Sequence, residues 1–402
     1  MKNKKFILLV SCSVWIASIL SNCQSGSQKT DTVRLDTIPL TKIWESAIPH
    51  QSIPKGLTSI SAESCGTCHQ EIYEEWKLST HAAAFIDPQF LAEWKKDDVY
   101  VCLNCHTPLQ NQQEFVVIGL IGGDHRTPVK ARNPNFDTKL QLEGINCASC
   151  HVRNGKIIGL TSISLAPHIS LENPKHLSEQ LCVNCHNAVE ELYPDLVCTF
   201  ETGDEWAKGP AFAQGKNCIS CHMPIVEREL VKGFGKRKNR RHYFPGSGIP
   251  KFADQKSVGL AGLEFTSEIS KETIRPGDIA NFKLNVENKY AGHNVPTGDP
   301  ERFINVRFSV ENKDSVIVEK QFRIGEEWEW YPKAAKISDN NLSPGEVRTF
   351  NFEYEIPDIS DFVLGIEVTK HRMNEENAMF DSLFDYPLSI KIFEEKHRLK
   401  IE

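Results

Sequence analysis

Five copies of one pentapeptide, C-x-x-C-H, lie between Cys65 and His222. They are Cys65-Gly-Thr-Cys68-His69, Cys102-Leu-Asn-Cys105-His106, Cys147-Ala-Ser-Cys150-His151, Cys182-Val-Asn-Cys185-His186 and Cys218-Ile-Ser-Cys221-His222. Each is the pattern for covalent attachment of haem. Two thiols become thioethers on the haem vinyl groups, and the adjacent histidine is held under the ring as an axial ligand to iron. A zinc site built from C-x-x-C needs facing pairs or spaced His ligands, and gives no reason for a histidine after every second cysteine. A redox dithiol needs a single C-x-x-C beside a strand–helix unit. The sequence therefore predicts five covalent haem c groups. Motifs recur every 35–45 residues, which leaves space for short helices and long loops and no sheet. So thin a core is marginal by itself, and the apolar macrocycles are expected to fill it, so that this region folds only with haem bound.

Cysteine chemistry points to an exported protein. Lys2, Lys4 and Lys5 precede an apolar run from Phe6 to Leu20, shorter than the ~20 residues of a membrane span. The run leads into Leu20-Ser21-Asn22-Cys23, which resembles a relaxed bacterial lipobox, although Asn22 stands where a small residue is usual. Residues 1–22 are read as a lipoprotein-type signal peptide and Cys23 as the lipidated N-terminus. An uncleaved anchor would export the chain equally well. The expected location is the periplasmic or cell-surface side of a bacterial membrane. Of 13 cysteines, ten attach haem, Cys12 lies in the signal and Cys23 takes lipid. Only Cys198 is left, read as buried and inert, so there is no disulfide framework. Residues 23–60, rich in Ser, Thr, Gln and Pro, read as a flexible tether. A net charge of −7 gives no footprint for nucleic acid.

Residues 61–250 form the expected haem domain, α-helical and irregular. From residue 251 cysteine disappears and apolar residues alternate with polar ones. Phe282, Leu284 and Val286 do so, as do Ile304, Val306, Phe308 and Val310, and Phe362, Leu364, Ile366 and Val368. Similar patterns around Phe265, Val316–Val318, Phe350–Ile356 and Leu388–Ile392 make about seven strands, an all-β immunoglobulin-like sandwich over residues 251–402. Between the two regions, Gly233 to Gly248 reads as a loop carrying Lys236, Arg237, Lys238, Arg240 and Arg241. It is a solvated basic loop, or a site for propionates, an acidic partner or a small anion.

Function turns on the second axial ligand. An iron with His on both faces suits electron transfer, and an open face admits substrate. Met223 follows His222 directly and cannot reach the far face of the same haem, so the potentials are expected to be low. His81 lies in an expected helix over 70–85, about 18 Å from His69 at 1.5 Å per residue, and should serve a different iron. His125, His168, His176, His242 and His293 are the further candidates, and His50, His371 and His397 are read as structural or exposed. His293 belongs to the β-domain, in a loop between two strong strands.

The fragments Trp76-Lys-Leu-Ser-Thr-His81-Ala, Glu143-Gly-Ile-Asn-Cys147-Ala-Ser-Cys150-His151 and Cys218-Ile-Ser-Cys221-His222-Met223-Pro224 resemble the tetrahaem carrier cytochromes that take electrons from hydroxylamine oxidoreductase. Their superfamily also holds that oxidoreductase and pentahaem nitrite reductase. The loop Gly292-His293…Pro296-Thr297-Gly298…Arg302 resembles one in larger multihaem cytochromes with a C-terminal β-domain. That resemblance implies a loop packed on the haem domain, with His293 ligating iron. This chain departs from the carriers in having five motifs and a sandwich. It departs from pentahaem nitrite reductase in lacking a C-x-x-C-K site. The leading expectation is an electron-transfer cytochrome with mostly bis-His haems and donor and acceptor redox proteins as partners, held to the membrane by its lipid anchor. The alternative is an oxidoreductase acting on a small inorganic nitrogen or sulfur species at one five-coordinate haem. A third reading is a haem-based sensor whose sandwich does the binding.

Overall fold

The computed structural model describes residues 36–162, 165–256, 258–270, 273–312, 315–356, 362–398 and 400–401. The signal segment, Cys23 and the first part of the expected tether lie outside these residues. The rest of that tether is not one. From Thr37 the chain belongs to one compact unit that runs to its end. Thr37 and Ile38 pair with Ile121 and Leu120, Asn104 donates to the Trp44 carbonyl at 2.8 Å, and Ile48 packs with Ile60, Leu109, Leu140 and Val152. A few apolar residues thus anchor a segment whose composition reads as linker.

Four of the five motifs lie wholly within a helix that ends on the motif histidine: Tyr100–His106, Cys147–His151, Gln180–His186 and Cys218–His222. The first motif begins in the helix Ala62–Gly66 and runs on through the turn before Gln70–Lys77, with His69 at that helix's N-cap position. The third and fifth motifs share a capping box. Asn146 accepts from the Ser149 amide while the Ser149 hydroxyl accepts from the Asn146 amide, and Asn217 and Ser220 do the same. These reciprocal bonds satisfy amides that a one-turn helix would otherwise leave free.

Two expectations need correction here. The helix over 70–85 stops at Lys77. The Ser79 hydroxyl donates to the Trp76 carbonyl at 2.6 Å, competing with helical bonding, and His81 sits in the turns that follow. The haem region also contains sheet. Thr37–Ile38, Phe115–Ile121 and Pro128–Arg132 form one; Val152–Arg153, Lys156–Gly159 and Ser170–Glu172 a second. Ala188–Tyr193 pairs with Leu196–Phe200, and Ile225–Glu229 with Lys236–Arg240. The last hairpin is the expected basic loop. Segments between motifs must satisfy their own backbone groups, and a local hairpin is the shortest way to do so.

After residue 263 two antiparallel sheets face each other. One has the order Glu264–Ile269, Ile279–Glu287, Val347–Glu355; the other Ala335–Asp339, Ser315–Glu329, Phe303–Asn312, Val363–His371, Ser389–Arg398. Phe282, Leu284, Phe350 and Phe352 from the first share a core with Ile304, Val306, Phe308, Ile366 and Val368 from the second. Alternating burial along Ile279–Glu287 is the period-2 pattern of the sequence. The strand Ala335–Asp339 escaped that reading because all five residues are exposed.

The sandwich is fastened to the haem region by polar contacts. Asp87 accepts from Tyr386 at 2.6 Å and pairs with Lys251. Arg372 donates to the carbonyls of Ile249 and Pro250, each at 3.1 Å. Gln89 donates to Asp299 and Glu301, each at 3.2 Å.

Candidate haem-binding sites

Three histidine pairs share one spacing. The rings of His81 and His186, His151 and His242, and His222 and His293 each stand 6.3 Å apart between centroids. Two imidazoles sharing one metal through bonds of ~2.0 Å, with a centroid-to-nitrogen distance of ~1.1 Å in each ring, would have centroids ~6.2 Å apart. In every pair one member belongs to a motif and the other to a distant segment. His81 therefore faces the fourth motif, His242 the third and His293 the fifth. His69 and His81 serve different motifs, as the sequence requires.

Hydrogen bonding at the ring nitrogens divides the histidines into two sets. Nδ1 of His69, His106, His151 and His222 bonds to the carbonyls of Leu230 (3.1 Å), Ala84 (2.6 Å), Ile158 (2.9 Å) and Pro245 (2.6 Å). His242 and His293 use Nδ1 on the carbonyls of Arg240 (3.0 Å) and Asn294 (2.7 Å), and His168 uses it on Ser170 Oγ (3.1 Å). Where the partner is a carbonyl this fixes the proton on Nδ1 and leaves the Nε2 lone pair open; at His168 the serine hydroxyl can donate or accept. His125 and His176 are arranged the other way. Their Nε2 atoms bond to the Leu192 carbonyl at 3.3 Å and the Cys150 carbonyl at 3.0 Å. The structure brings neither of them to a motif histidine as a trans partner. His168 lies within electrostatic reach of His69; burial, and then His69, lower its pKa.

Burial also favours the neutral form, which offers a lone pair, in His81, His186 and His242. The pKa of His81 is pushed down to about 3, first by burial and then by His186. Burial similarly takes His186 and His242 to about 4. The first two motifs differ from the other three. Among the described residues no histidine ring stands 6.3 Å from His69 or His106; His69 has His168 within electrostatic reach, and the ring neighbour of His106 is Phe90, stacked at 3.8 Å and 11°.

The attachment cysteines adjoin across motifs. Cys65 and Cys147 perturb one another's thiols, as do Cys105 and Cys185, and Cys182 and Cys218. Cys150 is within electrostatic reach of Cys185. The motifs thus connect in the order one, three, four, five, with two joined at four. Cys68 and Cys221 are exposed and the other eight are half-buried.

Residues outside the motifs hold this arrangement, and nothing in the sequence marked Glu75, Arg228, Phe244 or Glu205 for it. Glu75, 3 % exposed, accepts from Arg228, from Arg241 at 2.6 Å and from the His242 amide at 2.8 Å. It fixes the loop that carries His242. Phe244, with φ of 47°, lies 4.5 Å from His81 and 5.7 Å from His242 between ring centroids. The His293 loop packs on the haem region as its resemblance implied. Asn294 and Thr297 donate to Glu205 at 3.1 and 2.7 Å, and a Cβ on Gly292 would meet that of Ala211 at 2.8 Å.

These donor sets fit haem c. Paired thiols stand beside each motif histidine, and trans imidazoles are set at ligand spacing. Comparison with known proteins agrees. The model of the family described as cytochrome c554 and c-prime matches residues 64–120. A penta-haem cytochrome c552 from Thermochromatium tepidum has a similar fold, with a TM-score of 0.59 at 16 % identity, covering 86 % of this chain and 100 % of that one. Match and fold together support a multihaem c-type cytochrome. The CARDB domain of the PF1109 protein from Pyrococcus furiosus covers 38 % of the chain and 98 % of its own, at 12 % identity and a TM-score of 0.21, too low to carry an argument. No curated protein matches the chain.

Cys198 lies half-buried on Leu196–Phe200, packed with Val99 and Leu192. Burial pushes its thiol pKa up to about 12, which keeps it protonated and unreactive.

Proposed function

We propose that the protein is an electron-transfer cytochrome that binds five haem c groups, four of them between two histidines. The observation that carries this reading is the 6.3 Å spacing of His81–His186, His151–His242 and His222–His293; we assign His168 to His69 as the fourth pair on their electrostatic proximity alone. When bound, haem supplies one-electron exchange between Fe(III) and Fe(II). The chain's own residues hold neutral imidazoles in place, tie the Nδ1 atoms to carbonyls and exclude water from the ligands. The scarcity of methionine supports low potentials. Adjoining cysteines support a path through motifs one, three, four and five, and exposed Cys68 and Cys221 support its two ends as the points of exchange with donor and acceptor proteins.

We read the chain further as exported, with Cys23 lipidated and the body on the outer side of a bacterial membrane, and the sheet pair as an immunoglobulin-like sandwich. A lipid adduct on Cys23 in the mature protein's mass spectrum tests the anchor. EPR of the oxidised holoprotein, with a haem count per chain, tests the ligand sets. The expected result is five haems, four low-spin and one high-spin. Fewer than five, or two or more high-spin, defeats the assignment.

His106 favours a second reading. With Phe90 beside it and no imidazole opposite, the second motif suits an open face, and hence an oxidoreductase acting on a small nitrogen or sulfur species. A high-spin signal that shifts on adding nitrite or hydroxylamine would establish that reading over pure transfer.

A further inference from the structure

The hairpin Ile225–Glu229/Lys236–Arg240 has a rigid base and a free tip. At the base Arg228, 5 % exposed, pairs with buried Glu75, and Arg240 donates to the Met223 carbonyl at 2.9 Å. At the turn the Leu230 carbonyl takes the Nδ1 bond of His69 at 3.1 Å. The tip is therefore one hydrogen bond from the iron ligand of the first motif, whose Cys68 is exposed. Beyond Leu230 every residue from Lys232 to Lys238 is exposed. Phe234 is 68 % exposed, and a Cβ on either flanking glycine, Gly233 or Gly235, would meet nothing within 4 Å. Lys232, Lys236, Arg237 and Lys238 form no ion pair among the described residues.

Four unpaired cations around an aromatic tip stand out on a chain of net charge −7. A concave site would suit a small anion, but this tip projects into open space. Such a projection suits a large surface of opposite charge, and a local positive patch on an acidic body orients an approaching anionic surface. An exposed aromatic ringed by cations is also the composition of a contact core with a charged rim.

We propose that this hairpin docks an acidic one-electron carrier protein and brings its redox centre to the edge of the first haem, beside Cys68. This rests on the haem-binding reading above. In the exchange the carrier's reduced centre loses one electron and one Fe(III) becomes Fe(II). With a flavin hydroquinone as donor, the flavin becomes the semiquinone and releases its proton to solvent.

The test uses the full-length holoprotein with reduced flavodoxin as the acidic carrier and photoreduced lumiflavin as a small neutral donor. In the variant Lys232→Glu/Lys236→Glu/Arg237→Glu/Lys238→Glu, the second-order rate with flavodoxin should fall ~10-fold or more at low salt and lose its dependence on ionic strength. Anisotropy of labelled oxidised flavodoxin should show a complex with the native protein and none with the variant. The lumiflavin rate and haem absorbance should not change. Unchanged flavodoxin rates and anisotropy overturn the proposal. So does hairpin-dependent binding to phosphatidylglycerol vesicles with flavodoxin kinetics unaffected, which assigns the tip to a lipid surface. If charge reversal impairs assembly, the matching Gln variants and Phe234→Ala carry the same test. A chain that takes up no haem fails the underlying reading instead, and shows it in the absorbance before any partner is added.

Discussion

Nineteen buried residues join in a single cluster between the two sheets, whereas the haem region offers two clusters of five buried residues each. Where the haem region is buried, much of it is amide. Gln112 donates to the carbonyls of Leu140 and Gly144 at 2.8 and 2.6 Å, and Gln113 to Asn104 and Thr107 at 3.1 and 3.0 Å. The Asn111 side chain accepts from the Gln51 amide and donates to the Gln51 carbonyl, at 2.8 and 3.0 Å, and Asn133 donates to the Gln110 and Gln113 carbonyls. The sandwich is stabilised by apolar area removed from water, roughly 25 cal/mol per Å². The haem region is pinned by directional bonds that each contribute only about 1 kcal/mol net. The first architecture is self-sufficient. The second relies on a large apolar body that its own side chains do not supply.

The sharpest way to break this contrast is to withhold haem. Protein made without haem attachment should lose the haem region's helical circular dichroism and yield to protease between residues 61 and 250, while a resistant C-terminal fragment survives. A haem-free chain that stays wholly resistant would refute the contrast. Next in size, Phe282→Ala opens a cavity at a position 1 % exposed and should cost ~3–5 kcal/mol in the unfolding of the sandwich, with four of the low-spin signals unmoved.

His293→Ala crosses the boundary in the other direction. It should convert the low-spin haem of the fifth motif to high-spin in EPR and leave the sandwich's unfolding midpoint within a degree or two. The seam itself responds to pH. Glu301 keeps its proton in the folded protein up to about pH 7, because burial and then Asp299 raise it from 4.5. The folded state thus binds an extra proton between those limits, and its stability falls as pH rises through them. Glu301→Gln should flatten that slope in denaturant titrations, a difference of at most ~3 kcal/mol. The smallest effect is expected at His125 and His176, whose Nε2 atoms face carbonyls. Alanine at either should leave the EPR spectrum unchanged, and a new high-spin signal would restore it as a ligand.

The sandwich was legible because its pattern is local. Alternation along Ile279–Glu287 directly states which face is buried. The motifs were legible because attachment needs fixed spacing. Pairings were not, since which distal histidine meets which motif depends on the path of loops with no apolar period. Composition was silent in the same region: Gln110-Asn-Gln-Gln is wholly polar, yet Asn111, Gln112 and Gln113 are buried. The helix before His81 was overextended because its pattern ran on past the point where Ser79 turns back to the Trp76 carbonyl. Nothing local marks Glu75, since its partners Arg228 and Arg241 arrive from more than 150 positions away.

That separation sets an order of assembly. The Leu230 carbonyl that orients His69 lies 161 positions downstream of it, and a chain is synthesised from its N-terminus. The first motif therefore emerges long before the group that holds its histidine in place. Its iron ligand becomes fixed only when the last hairpin of the region closes. Until then the earliest site in the chain is the least finished, so completing the fold serves as a check that the haem nearest the N-terminus is correctly seated.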